Sequence, residues 1–185
     1  MKITDKEKGV LLLAARDSIK SIFNGTPLSQ IEYLQYPWLK LDLGAFVTIK
    51  IDNSLRGCIG YIFSKKTLYD TVCEAAKQAA FSDPRFIPLI EEEVEKIKIE
   101  ISVLSSPQKI KNYDEIIIGK HGIILDEEYF RAVLLPQVAI SNNFIREQFL
   151  SALCEKGGLL PDAWKIQKLN IRVFTATIFS EEEDE

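Results

Sequence analysis

Apolar positions along the chain switch repeatedly between two periods, and those switches divide it into elements. Val10, Leu11, Ala14, Ala15, Ser18, Ile19 and Ile22 recur at helical spacing. Thr4 with Glu7 three residues later makes a capping-box start, and Asn24-Gly25 makes a stop, so the spacing predicts an amphipathic helix between them. The stretch TPLSQIEYLQYPWLK (26–40) carries two prolines and mixed periodicity, and it reads as a loop or short helical turn leading to the first strand. AFVTIKI (45–51) alternates as a strand, Asp52-Asn53-Ser54 has turn chemistry, and 55–63 returns as its hairpin partner.

Thr67 is placed to cap a second helix over 67–81, with Leu68, Val72, Ala75, Ala76 and Ala79 as its inward stripe and Asp83-Pro84 as its stop. IKIEISV (97–103) places isoleucine or valine at every second position, the pattern of a strand with one wet face. A short helical piece is expected over 114–117. Gly119-Lys120-His121-Gly122 then introduces a hairpin from GIILD (122–126) to YFRAVLLP (129–136), turning near Glu127-Glu128. NFIREQFLSALC (143–154) reads as an amphipathic helix closed by Gly157-Gly158 as a left-handed cap, and NIRVFTATIF (170–179) as one closing strand. The expected class is α+β: a mostly antiparallel sheet flanked by helices, with room for a smaller second lobe. One domain over 1–180 would be followed by an acidic tail, 181–185, with no reason to fold.

Composition narrows the function. The chain has 185 residues, 46% of them hydrophobic, enough for a real core in one domain. Its formal net charge is −4 and no stretch gathers lysine and arginine on one face, so nucleic acid is not an expected partner. No apolar run reaches membrane-spanning length, and the N-terminal stretch resembles a helix of a soluble protein rather than a signal peptide. Cys58, Cys73 and Cys154 form no C-x-x-C and His121 is the single histidine, so no metal site is expected, no cofactor is indicated, and reduced thiols in the cytoplasm are the natural reading. Cys73 and Cys154 fall at helix positions as small core residues.

The strand SLRGCIGYIF (54–63) is unusual in holding two glycines and a cysteine. By alternation, Arg56, Cys58 and Gly60 share one face and the apolar Leu55, Ile59, Tyr61 and Phe63 choose the core, with Gly57 among them. On one reading Gly60 leaves a notch beside the sulfur, Arg56 favours the thiolate, and Cys58 is a nucleophile or ligand. On the other, the cysteine fills space, Gly57 and Gly60 permit close packing or a bulge, and Arg56 pairs with an acidic residue. His121, in a glycine-flanked turn, has the chemistry for proton transfer if it meets Cys58.

GYIFSKKT (60–67) brushes against a phosphate-loop pattern, but Lys65 stands where its second glycine belongs. Asp83-Pro84-Arg85-Phe86 offers an acid and a guanidinium on a rigid turn, for an anion or for an internal ion pair. Glu91–Glu93 with Glu95 reads as a solvated face at a helix start.

LRGCIG (55–60), AAFSDPRFIPL (79–89), IEISVLSSP (99–107), GKHGIIL (119–125) and LLPQVA (134–139) occur in the order seen in the AMMECR-type family, which includes AmmeMemoRadiSam system protein A, and the chain resembles that family over nearly its whole length. The resemblance implies an α+β fold with a larger and a smaller lobe. It also implies association with Memo-like and radical S-adenosylmethionine proteins, and it draws attention to Arg56, Gly57, Cys58, Gly60, Asp83, Arg85, His121 and Gln137. It implies no particular reaction: a thiolate enzyme, with Cys58 and His121 as its catalytic residues, and a non-catalytic adaptor docking a partner at LRGCIG are both expectations. The chain departs from the family pattern at 141–145, where many relatives carry a tryptophan and an acidic residue, and at Gly157, where relatives commonly read K-A-G-L.

Overall fold

The capping box at Thr4 forms as expected. Thr4 Oγ1 accepts the Glu7 N–H at 3.3 Å and Glu7 Oε2 accepts the Thr4 N–H at 2.9 Å, opening α1 (Asp5–Asn24), which ends on Gly25 at φ 69°. Glu7 does more than cap: buried, it accepts the Trp38 N–H at 3.0 Å and so bolts the 3-10 turn Pro37–Lys40 to the helix start. A computed structural model describes residues 3–181.

The elements continue as β1 (Ala45–Ile51), β2 (Ser54–Tyr61), α2 (Leu68–Phe81), β3 (Lys98–Leu104), β4 (Gln108–Lys109), β5 (Gly122–Asp126) and β6 (Arg131–Leu134). Three helices follow, α3 (Pro136–Ser141), α4 (Arg146–Lys156) and α5 (Ala163–Ile166), and then β7 (Ile171–Phe174) and β8 (Ala176–Ser180). The chain is α+β, with two four-stranded sheets rather than one, ordered β2-β1-β3-β8 and β4-β7-β5-β6. It divides into two compact units, Ser105–Ala176 and the remainder.

In the first unit β1 pairs antiparallel with both β2 and β3, and Val47, Ile49, Ile99, Ile101 and Val103 line one sheet face. The helical stripes complete that core: Leu11, Ala14, Ala15 and Ile19 from α1, and Leu68, Val72, Ala75, Ala76 and Ala79 from α2. In the second unit Ile123, Leu125 and Ile171 pack with Phe149, Leu150, Leu153 and Cys154 of α4. No described helix is long and apolar enough to cross a membrane.

Three expectations need correction. The single closing strand is two strands in different sheets, β7 and β8, parted at Thr175, whose carbonyl accepts the Ser105 N–H and whose N–H donates to Ser105 Oγ, both at 2.9 Å. The consecutive burial of Val173 and Phe174 marks the break in alternation. The helix of 143–154 starts later, because Asn143 takes a left-handed φ of 52°, and it runs on to Lys156. At its end Gly157 is right-handed and Gly158, at φ 82°, takes the left-handed position. Pro136, read as the end of a hairpin strand, opens α3 instead, where its missing N–H costs nothing.

Of the expected acidic tail, 182–185 lies outside the described residues, while Glu181 is fastened in the first unit. Arg16 Nε and Nη2 fork onto its carboxylate at 2.7 and 2.6 Å, and the same guanidinium donates to the Val94 and Ile97 carbonyls. Glu181 also accepts the Ile99 N–H at 2.9 Å, so one half-buried ion pair joins α1, the entry to β3 and the chain beyond β8. Glu181→Gln leaves Arg16 without its counter-charge and should lower unfolding free energy by about 2 kcal/mol in urea titration, within the range for hydrogen bonds to charged groups. A loss below about 0.5 kcal/mol would reduce the pair to an ordinary surface contact.

Candidate functional site

The signature strand β2 lies at the edge of its sheet, and its pairing with β1 is irregular. Ile49 faces Gly57 but Lys50 faces Leu55, so Arg56 is the extra residue of a bulge. The bulge re-aims Arg56: its Nε and Nη2 fork onto Glu93, each at 2.9 Å, and its Nη1 donates to the Ile87 carbonyl at 2.9 Å. Arg56 thus pairs with an acid, as the second reading of the strand had it. Glu93 is correspondingly no solvated bystander, and the Arg56 guanidinium holds its carboxyl below the usual range against the opposing effect of burial.

Both glycines are close-approach devices. A Cβ at Gly57 would collide with the Ala79 carbonyl, so the missing side chain lets α2 settle directly onto β2. A Cβ at Gly60 would strike the Ala45 carbonyl and Phe46, its cross-strand partner. The space beside Gly60 is therefore occupied by the neighbouring strand and is not an open notch.

Cys58 is half-buried and held from three sides. Its Sγ accepts the Thr48 hydroxyl at 3.3 Å, because the hairpin register sets Thr48 directly opposite. Its N–H, directed away from β1, donates to Asp83 Oδ2 at 2.8 Å, and its carbonyl accepts from Arg85 Nη2 at 3.4 Å. Asp83 and Arg85 are themselves joined: Arg85 Nε and Nη2 donate to the two carboxylate oxygens at 3.0 and 2.8 Å, and the Arg85 N–H adds a third bond at 3.1 Å. The turn after α2 thus supplies the acceptor and donor that a further strand would have offered, and it closes the sheet edge at Cys58.

The Asp83 side chain is 2% exposed while that of Arg85 is 55% exposed, so the acid is the anchor and the guanidinium is partly available. Arg85 foremost, with the Cys58 and Arg85 N–H groups, holds the Asp83 carboxyl far below its usual range, outweighing the upward push of burial. Burial pushes the Cys73 and Cys154 thiols up, and both sit in the cores as expected.

His121 and Gln137 belong to the second unit. His121 Nδ1 accepts the Ile117 N–H at 3.2 Å and the His121 backbone N–H donates to the Ile117 carbonyl at 2.9 Å, so residue 121 locks the 117–121 turn. Gln137 lies in α3 with Oε1 buried and without a hydrogen-bond partner among the described residues. The structure gathers Arg56, Gly57, Cys58, Gly60, Asp83 and Arg85 in one unit, and Thr48 and Glu93 join them. Thr48 comes opposite Cys58 only through the bulge at Arg56, since the two-residue turn alone would set it against Gly57, and Glu93, brought in by a loop, had no local signal. Among the described residues no group of three His, Cys, Asp or Glu could hold a metal ion.

A carboxylate whose pKa is depressed by folding stabilises the protein above its unfolded pKa of about 3.9, and that contribution is lost as pH falls through the lower folded value. Asp83→Asn should therefore cost about 2 kcal/mol at pH 7, the size of hydrogen bonds to a charged group. Urea titrations should show the gap to wild type narrowing only below about pH 4; a gap independent of pH would contradict this role.

The AMMECR1 family model matches residues 12–179. Protein Mbar_A1807 of Methanosarcina barkeri is 38% identical over 98% of this chain and 93% of its own length, and protein NEQ441 of Nanoarchaeum equitans is 41% identical over 78% and 84%. The crystal structure of the uncharacterised protein PH0010 from Pyrococcus horikoshii superposes with a TM-score of 0.87 at 33% identity, over 98% of this chain and 95% of that one. The locked LRGCIG strand thus stands within a chain that, by sequence and by shape, belongs to the AMMECR1 family.

Proposed function

We propose that the protein is a binding module that presents the face of β2 around Cys58, with Arg85 beside it, to a partner protein. The observation that carries this reading is the commitment of the charged groups nearest the thiol. Arg56 is spent on Glu93 and on loop carbonyls, and Asp83 and Arg85 are spent on each other and on the Cys58 peptide. Such a network fixes a surface in place and leaves no side chain of that network free to take a proton from sulfur. Gly57, Gly60, Arg56 and Asp83 build the surface, and Cys58 and Arg85 meet the partner. The partners that the family resemblance suggests are Memo-like and radical S-adenosylmethionine proteins.

A second reading, a thiolate enzyme with Cys58 as nucleophile and His121 in proton transfer, is favoured by one observation: the Thr48 hydroxyl is aimed at the Cys58 sulfur, the one half-exposed thiol among the described residues. Substitution at Gly60 does not separate the two readings, since any side chain there collides with β1. Cys58→Ser and Cys58→Trp do, measured by interferometry against a Memo-like and a radical S-adenosylmethionine protein encoded in the same genome. The binding reading expects Cys58→Ser to stay within about twofold of wild type and Cys58→Trp to weaken binding at least tenfold, about 1.4 kcal/mol, with an unchanged melting temperature. Equal binding by all three proteins, or no binding to either partner, would contradict it. Loss of function in Cys58→Ser, together with alkylation far faster at Cys58 than at Cys73 or Cys154, would establish the thiolate reading instead.

A further inference from the structure

The second unit carries a feature unrelated to the signature strand. β4 and β7 pair only at Gln108↔Val173 and Lys109↔Arg172, after which the Ile110 N–H reaches the Ile171 carbonyl at 3.5 Å and the two chains diverge. Two adjoining clefts open where they part, one of about 200 Å³ and one of about 360 Å³, sharing Ile110, Lys168 and Leu169. Leu169, 4% exposed, makes part of an apolar floor.

Lys111 and Lys168 line the smaller cleft, which has no carboxylate in its walls, and Lys109 joins Lys168 in the larger one. Among the described residues none of these three ammonium groups makes an ion pair or a side-chain hydrogen bond, an unusual gathering in a chain of net charge −4. The nearby acids are turned to the backbone. Glu115 accepts the Lys111 and Asn112 N–H groups at 2.8 and 2.9 Å, although its charge also feels Lys111, and Glu127 accepts the Asn170 N–H at 2.6 Å. Tyr113 stands in the smaller cleft with its ring held edge-on against Trp164 at 5.8 Å. Its oxygen accepts the Leu169 N–H at 3.0 Å, which leaves its own hydrogen to be donated.

We infer that the cleft between Lys111 and Lys168 binds the phosphate of a small phosphate monoester, whose hydroxyl-bearing body lies in the adjoining cleft against Glu127 and Asn170. Lysine ammonium groups are compact charges with rotatable donors, suited to a tetrahedral oxyanion, whereas planar carboxylate recognition favours the arginine fork, and no arginine lines either cleft. Two cations, a phenol and the Asn112 side-chain amide match a dianion. Glu127 would repel a second phosphate but accepts hydroxyl hydrogens, which places the anionic end at the smaller cleft. The dimensions suit a sugar phosphate or a nucleoside monophosphate.

Titration of the full chain by calorimetry with ribose 5-phosphate, AMP, inorganic phosphate and ribose tests this, with amide shifts of Tyr113 and Leu169 locating the site. Saturable binding of ribose 5-phosphate or AMP is expected, weakened at least tenfold in Lys168→Gln and in Lys111→Gln and unchanged in Lys165→Gln, whose ammonium is already paired with Asp162. The tighter of the two monoesters names the source of the body. Inorganic phosphate should bind more weakly and ribose not at all. Melting curves matching wild type keep the exposed lysine variants interpretable. Absence of saturable binding by either monoester, binding indifferent to both cleft variants, or inorganic phosphate binding as tightly as the monoesters would overturn the inference.

Discussion

One buried carboxylate holds the signature surface together. Asp83 receives the Cys58 N–H, the Arg85 N–H and two guanidinium donors, and in exchange the Arg85 side chain reaches the Cys58 carbonyl. An edge strand exposes unpaired peptide groups that invite further strands. Here two side chains from one turn answer both groups of a single residue, so LRGCIG and DPRF form one structural unit although 25 residues separate Cys58 from Asp83. The ionised state of Asp83 is integral to this, because a neutral acid would be a weaker acceptor for the Arg85 fork.

The glycines make the same unit possible from the other side. α2 must lie close on β2 for Asp83 and Arg85, just beyond its end, to reach the strand edge, and only a residue without a Cβ tolerates the Ala79 carbonyl at Gly57. The bulge at Arg56 then diverts a guanidinium that regular alternation would have left beside the sulfur, and Glu93 captures it with both oxygens. A strand that looks hollowed for a ligand is hollowed for its own helix and its own neighbouring strand. What remains presented is the Cys58 face and half of Arg85.

Much of this was legible in the sequence because it is local. The capping box at Thr4, the strand Ala45–Ile51, the turn at Asp52-Asn53, the α2 stripe and the α+β class all follow from spacing within about twenty residues. Three kinds of feature were not. Two-residue β4 and four-residue α5 are too short to carry a period. The passage from β7 to β8 between sheets is hidden because both strands read as one apolar run. The partners of Arg56 and Arg16, namely Glu93 and Glu181, come from 37 and 165 residues away, where an acidic run looks solvated until the chain folds it onto a cation.

The most direct test of the locked edge is hydrogen exchange at the Cys58 amide, followed residue by residue by NMR. Although that N–H points away from β1, it should exchange slowly in the wild-type protein and lose its protection in Asp83→Ala while the β1 amides keep theirs. A Cys58 amide that exchanges at the rate of a free strand edge in the wild type, or stays protected without Asp83, would contradict the account.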